Sequence, residues 1–181
     1  MADAGVMDRM LMRLRREARS WQSWRTSVEM LRYTPAGCRH WLVVPDAPAL
    51  ARAHDVTAVG FFGDLRSGMN HSAIYKLEAD VVARLGHYAP AGLLGYYDAE
   101  IAPGLHGNLV LFRTREVPSE WHADRVHAAA VAVAPRHYTA VRLHRGTVHG
   151  TLLGRGRLVI QRTRYFDFGH EPAWHGLRQL G

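Results

Sequence analysis

Two stretches of this chain repeat one pattern, and that repetition limits the fold more than any other feature. Val56–Leu65 is rich in Val and Phe and reads as a strand, with Gly60 and Gly63 allowing a close backbone approach. Ser72–Tyr88 follows as a helix whose Ile74, Leu77, Val81, Val82 and Leu85 share one face, and Ala89-Pro90 stops it. Gly92–Ile101 reads as a second strand, Pro103-Gly104 as a turn and Asn108–Arg115 as a third strand. Pro118 then opens a second helix to about Val133, Ala134-Pro135 ends it, and Tyr138–His144 is a fourth strand. Strand, helix, Ala-Pro and a Tyr-containing strand therefore occur twice in succession.

That order fits the split βαβ, ferredoxin-like arrangement, an α+β class in which two helices cover one face of an antiparallel sheet. Both faces of the sheet read as apolar, because Val59 and Phe61 alternate with Ala58 and Phe62, and Leu109 and Leu111 with Val110 and Phe112. Something must cover the second face, and a second protomer is the simplest candidate, giving an expected homodimer. Upstream, residues 7–32 read as one amphipathic helix with Met7, Leu14, Trp21 and Val28 every seventh position and Met10, Leu11, Trp24 and Leu31 beside them. His40–Val44 is a short strand or arm, and residues 46–54 an Ala-rich turn or helix. Gly146–Gly156 reads as a loop, Arg157–Phe168 as a fifth strand, and the tail as irregular. The expected division is an N-terminal helix and arm over 1–55, the α+β unit over 56–168 and a tail over 169–181.

Composition narrows the function classes. The 181 residues are 48% hydrophobic and 22% charged, which excludes wholesale disorder. The lone Cys38 excludes an intramolecular disulfide and a Cys-based zinc site, and reads as a buried or incidental thiol. No stretch has the length and apolarity of a membrane span and no signal-peptide pattern opens the chain, so a soluble cytoplasmic protein without stable membrane insertion is expected. The net charge is +7, distributed as +3 over residues 1–35, −2 over 36–135 and +6 over 136–181. Lys76 is the only lysine beside 22 arginines, a skew that resembles GC-rich coding, and no nucleic-acid partner is expected from it. No GxGxxG, Walker loop, GxSxG or HExxH motif occurs.

Asn108-Leu-Val-Leu-Phe112, Trp121 and His127 on the next helix, and Tyr138-Thr-Ala-Val-Arg-Leu-His144 together resemble the dimeric α+β barrel superfamily, over residues 56–168. That superfamily includes antibiotic-biosynthesis monooxygenase-type enzymes, polyketide cyclases and haem-binding or haem-degrading proteins. The resemblance implies a dimeric barrel and a small aromatic or polyketide-like substrate. It also implies cofactor-free chemistry, with haem as the alternative. In haem-degrading members an Asn on the first strand assists a Trp and a His on a helix; the first strand here carries no Asn.

Several residues carry candidate chemistry. If Val141 and Leu143 pack under the helices, Arg142 and His144 point to the opposite face. There they would bind an enolate or carboxylate and move a proton. His127 is a second catalytic candidate, and the axial ligand in the haem alternative. Asn108, Trp121 and Tyr138 are candidate substrate-binding residues. His122 and His127, five apart, sit about 140° apart on a helix and do not form a two-ligand metal site. A non-catalytic accessory protein that docks through its N-terminal helix is a further reading from a different class.

Overall fold

The computed structural model describes residues 2–21, 27–34 and 37–180. Among these, eight strands form a single sheet in which every neighbouring pair is antiparallel. They are β1 (Val28–Tyr33), β2 (Arg39–Val44), β3 (His54–Leu65), β4 (Leu93–Ala102), β5 (Leu105–Phe112), β6 (Tyr138–Thr151), β7 (Leu158–Asp167) and β8 (Trp174–Gln179). Their spatial order is β1-β2-β4-β5-β3-β6-β7-β8. Five α-helices accompany them: α1 (Ala2–Ser20), α2 (Ala47–Arg52), α3 (Ser72–Ala83), α4 (Ser119–Ala123) and α5 (Arg125–His137). The result is a mixed α+β fold.

The two faces of the sheet carry separate cores. On one side Met7, Leu11 and Leu14 of α1 and Leu50 of α2 are buried with Val56, Ala58, Phe62, Leu109 and Leu111. Gly60 makes room for this helix, because a Cβ there would stand 2.6 Å from the Met7 sulfur. On the other side α3, α4 and α5 cover the sheet, with Val81, Val82, Leu85, Phe112 and Trp121 in one cluster and Ile74, Tyr138 and Val141 in another. The face for which the sequence suggested a second protomer is thus covered by the chain's own first helix.

Several expected boundaries shift. The helix expected over 7–32 ends at Ser20, and Val28–Tyr33 is a strand paired with β2. A heptad spacing cannot separate the two, because Val28 and Met30 also fit a period of two: both lean on the α1-side core while Leu31 stays 50% exposed. Trp24 lies outside the described residues. The helix from Ser72 ends at Ala83 and gives way to a 3₁₀ turn over Leu85–Tyr88. The second helix breaks at Asp124, whose carboxylate caps α5 by accepting from the Val126 and His127 N–H groups at 2.9 and 3.0 Å. Pro135 does not end α5; it sits in the last turn, and the helix continues to His137. Gly146 marks a bulge and not a loop: a Cβ would stand 2.3 Å from the Val159 carbonyl oxygen, and β6 runs on to Thr151. The tail contains β8, whose six residues are mostly exposed and whose order comes from main-chain pairing with β7. No helix among the described residues is long and apolar enough to cross a membrane.

Leu14 is fully buried between α1 and the sheet. Leu14→Ala is expected to lower stability by about 3 kcal/mol, read as a reduced urea midpoint at unchanged slope.

Candidate functional site

Strand alternation brings one row of side chains under the helices. Trp41 lies opposite Asp98, Asp98 opposite Asn108, and Asn108 opposite Phe61, across β2, β4, β5 and β3. The two apolar clusters on this side meet along that row, and there the sheet turns polar. Phe61, Val59 and Asn108 keep part of their surface although they lie on the innermost strands. Space therefore remains above the middle of the sheet.

Arg39 organises the polar groups. Its guanidinium donates to Glu78 at 2.6 Å and to Asp98 at 3.0 Å, and lies 5.7 Å over the Trp41 ring. Two carboxyl groups thus share one cation. Burial pushes the Asp98 carboxyl well above the ordinary carboxylate range, and the negative charge and hydrogen bond of Glu78 push it further, against Arg39. Asp98 is only 3% exposed, and that burial favours its protonated, neutral form. Beside it the Asn108 amide donates to the Tyr96 hydroxyl at 3.3 Å. Burial raises the Tyr96 and Tyr138 phenols and keeps both neutral. Tyr138 reaches the site because residue 63 is glycine; a Cβ there would stand 2.5 Å from its ring. His106 is 8% exposed, lies 5.6 Å from the Tyr75 ring, and its Nε2 has no hydrogen-bond partner among the described residues. Burial lowers its pKa and favours the neutral imidazole.

A groove of about 390 Å³ runs alongside, between α3 and the β1–β2 end of the sheet. Trp41, Val43, Ala79, Val82, Gly86 and Glu29 line it. Trp41 is fixed there by donating its indole N–H to Glu29 at 3.0 Å. Trp41 shares its row with Asp98, and α3 presents Ala79 to the groove and the adjacent Glu78 to Arg39. The carboxyl pair thus lies next to residues that line a groove of mixed polar and apolar character, without lining it itself.

The structure separates the site residues read from the sequence. Asn108 belongs to this row, and Tyr138 packs edge-on against its Phe61, with ring centroids 5.5 Å apart. Arg142 and His144 point to the opposite face, as their alternation with Val141 and Leu143 implies, but α1 lies on them. His144 is 1% exposed, with Nε2 3.0 Å from Asp3 and Nδ1 2.8 Å from the Thr163 hydroxyl. Arg142 donates to the same Asp3 oxygen at 2.6 Å and to Asp64. Burial raises the Asp3 carboxyl, and hydrogen bonds from His144 and Arg142 outweigh it and leave it below the ordinary value. This network fastens the N-terminus of α1 to β6.

Trp121 is wedged edge-on between Tyr88 at 5.3 Å and Phe112 at 5.8 Å, and the His127 ring rests 5.0 Å from it. An axial haem ligand needs a flat apolar slot beside the imidazole. Trp121 fills that side of His127, and the groove does not reach it. These residues do not fit a haem site. Among the described residues no three His, Cys, Asp or Glu side chains group as metal ligands. Arg39, Glu78, Asp98 and His106 were not singled out by sequence, and Tyr96 was read only as an aromatic wall. The one signal was Asp98 itself, a carboxylate within the apolar strand Leu93-Leu-Gly-Tyr-Tyr-Asp-Ala99. No family model, curated protein or solved structure matches this chain.

At the opposite end of α3 from the groove, His71 meets His137 at the end of α5, with Nδ1 atoms 3.4 Å apart. The His71 Nε2 must carry a proton, since it lies 2.9 Å from the Arg66 carbonyl, an acceptor only. Burial lowers His137, and the charges of His71 and Arg136 lower it further. A depressed histidine contributes stability that is complete above its unfolded pKa and lost as pH falls below it. The melting temperature is expected to drop between about pH 7 and 5, and His137→Gln to flatten that drop. For the carboxyl pair, either acid alone neutralises Arg39. Asp98→Asn and Glu78→Gln should each cost under about 1 kcal/mol, while the double variant exceeds their sum by roughly 1–3 kcal/mol in a urea-denaturation cycle.

Proposed function

We propose that this chain is a small-molecule enzyme of cyclase or monooxygenase type, acting without a cofactor on an aromatic or polyketide-like metabolite held between the helices and the sheet. The strand order β4-β5-β3-β6, with α3 and α5 in the two crossovers, supports a ferredoxin-like split βαβ unit. The observation that carries the catalytic reading is the buried Asp98–Glu78 pair on Arg39, an acid and a base a proton apart, beside the Asn108–Tyr96 hydrogen-bond pair.

In this reading the groove takes the apolar part of the substrate and a ketone oxygen lies toward Asn108 and Tyr96. The ionised carboxylate of the pair removes a proton from the carbon beside that carbonyl. The C–H electrons move into the new C=C bond, and the carbonyl electrons go to oxygen as an enolate, stabilised by the amide and phenol donors. The enolate carbon then attacks a second carbonyl of the same molecule and closes a ring, with Asp98 giving its proton to the new alkoxide. In the oxygenase variant the enolate gives one electron to dioxygen, the carbon radical and superoxide combine to form a C–O bond, and the resulting peroxide anion takes the proton from Asp98. His144 and Arg142, first placed at the chemistry, hold α1 in this account, and the apolar stripe of α1 is used within its own fold and not for docking.

The test uses a bicyclic ketone, 2-tetralone, in deuterated buffer, with exchange at the carbon beside the carbonyl followed by proton NMR. The protein is expected to accelerate exchange by about a hundredfold over buffer. The Asp98→Asn/Glu78→Gln variant is expected to lose that acceleration while His144→Gln keeps it. Acceleration that survives the double variant, or none in the wild type, contradicts the proposal.

A further inference from the structure

The two basic ends of the sequence meet in the fold. Arg15 of α1 is buried and donates through Nε to the Leu152 carbonyl and through its terminal nitrogen to the Gly156 carbonyl, both at 2.7 Å. One turn on, Arg19 donates to the Leu153 carbonyl at 3.2 Å. The second half of α1 is therefore pinned against the turn that joins β6 to β7. Arg155 and Arg157 flank the Gly156 held by Arg15, and both are exposed. On the outward stripe of α1, Arg9, Met12, Arg16 and Arg19 are exposed at three- and four-residue spacing. Arg16, Arg19, Arg155 and Arg157 are thus exposed around the junction of α1 with this turn, Arg9 lies two turns further along the outward stripe, and none of the five is ion-paired to a carboxylate among the described residues. Of the α1 carboxylates beside them, Glu17 is engaged by Arg32 and Asp3 by Arg142 and His144, leaving Asp8.

Folding gains little from such crowding, since like charges repel and Arg19 already depresses the neighbouring Arg15 after burial does. A polyanion with regularly spaced charges relieves it. We propose that this surface docks the phosphate backbone of nucleic acid, by charge and without base readout. A lipid surface fits less well, because a membrane-binding helix inserts its apolar stripe and that of α1 is buried against the sheet, with only Met12 left outward. Arg9 and Arg16 lie two turns apart, about 10 Å along the helix, within the reach of flexible side chains to successive phosphates. Three arginines of the +3 segment and two of the +6 segment contribute to this footprint.

Fluorescence anisotropy with a labelled 20-base-pair DNA duplex, from about 50 to 200 mM salt, tests this. The full chain is expected to bind with log K falling linearly with log salt, at a slope near −4 for four to five phosphate contacts. Arg155→Ala/Arg157→Ala and Arg9→Ala/Arg16→Ala are each expected to reduce that slope by about 2, with unchanged circular dichroism. Arg125→Ala, on the exposed start of α5, should change it by less than about half a unit. No binding at low salt, equal losses from the Arg125 control, or preferential binding to vesicles containing phosphatidylserine would overturn the proposal. Tetralone exchange by the arginine variants should be unaffected, so the two proposals fail separately.

Discussion

The burial of α1 on the sheet is the contact on which the remainder depends. An antiparallel sheet with two apolar faces exposes one of them unless something covers it. Here Met7, Leu11 and Leu14 do so, Gly60 gives them a close seat, and Asp3 is bonded to Arg142 and His144 at the helix start. Arg15 fixes the other end to the carbonyls of Leu152 and Gly156. A charged residue, a buried arginine and an apolar stripe thus all specify one orientation of the helix. With this face closed from within the chain, the helix-covered face is free to hold polar groups and a groove.

On that second face Arg39 gathers the polar groups. A guanidinium on β2, two carboxyl groups on α3 and β4, and an amide–phenol pair on β5 and β4 come from four different elements. None is adjacent in sequence to the partner that defines it. Two acids share one cation where burial raises the Asp98 carboxyl, and the proposed acid–base chemistry would draw on that imbalance. The orphaned His106 Nε2 at the edge of the same cluster marks a further polar group whose partner is not a protein side chain among the described residues.

The sequence carried the repeating part of the fold because periodicity reports burial. The strands of β3 to β6 and the helix α3 follow from alternation and from the Ile74–Val81–Leu85 face. It failed where two periods coincide, at Val28 and Met30, and where order comes from main-chain pairing alone, as in the exposed β8. Glycine misled at Gly146, where close contact with the Val159 carbonyl and not a loop requires it. For the site, Asn108 and Tyr138 were legible as polar or aromatic residues on core strands. Arg142 and His144 lie on the face that alternation gives them, but no local pattern shows that a helix about 140 residues upstream will bond to them there. Arg39 and Glu78 were illegible for the same reason: their meaning is set by the β2–β4 register and by the placement of α3 over it.

The central claim is that Asp98 stands protonated at neutral pH on a cation it shares with Glu78. Carbon-13 NMR of carboxyl-labelled aspartate, titrated from acid to neutral pH, measures this most directly, with Asp98→Asn assigning the resonance. The account predicts one aspartate carboxyl that keeps the chemical shift of the protonated acid through pH 7 and is missing from that variant. A resonance that titrates with the other aspartates, near the ordinary value of about 3.9, would contradict it.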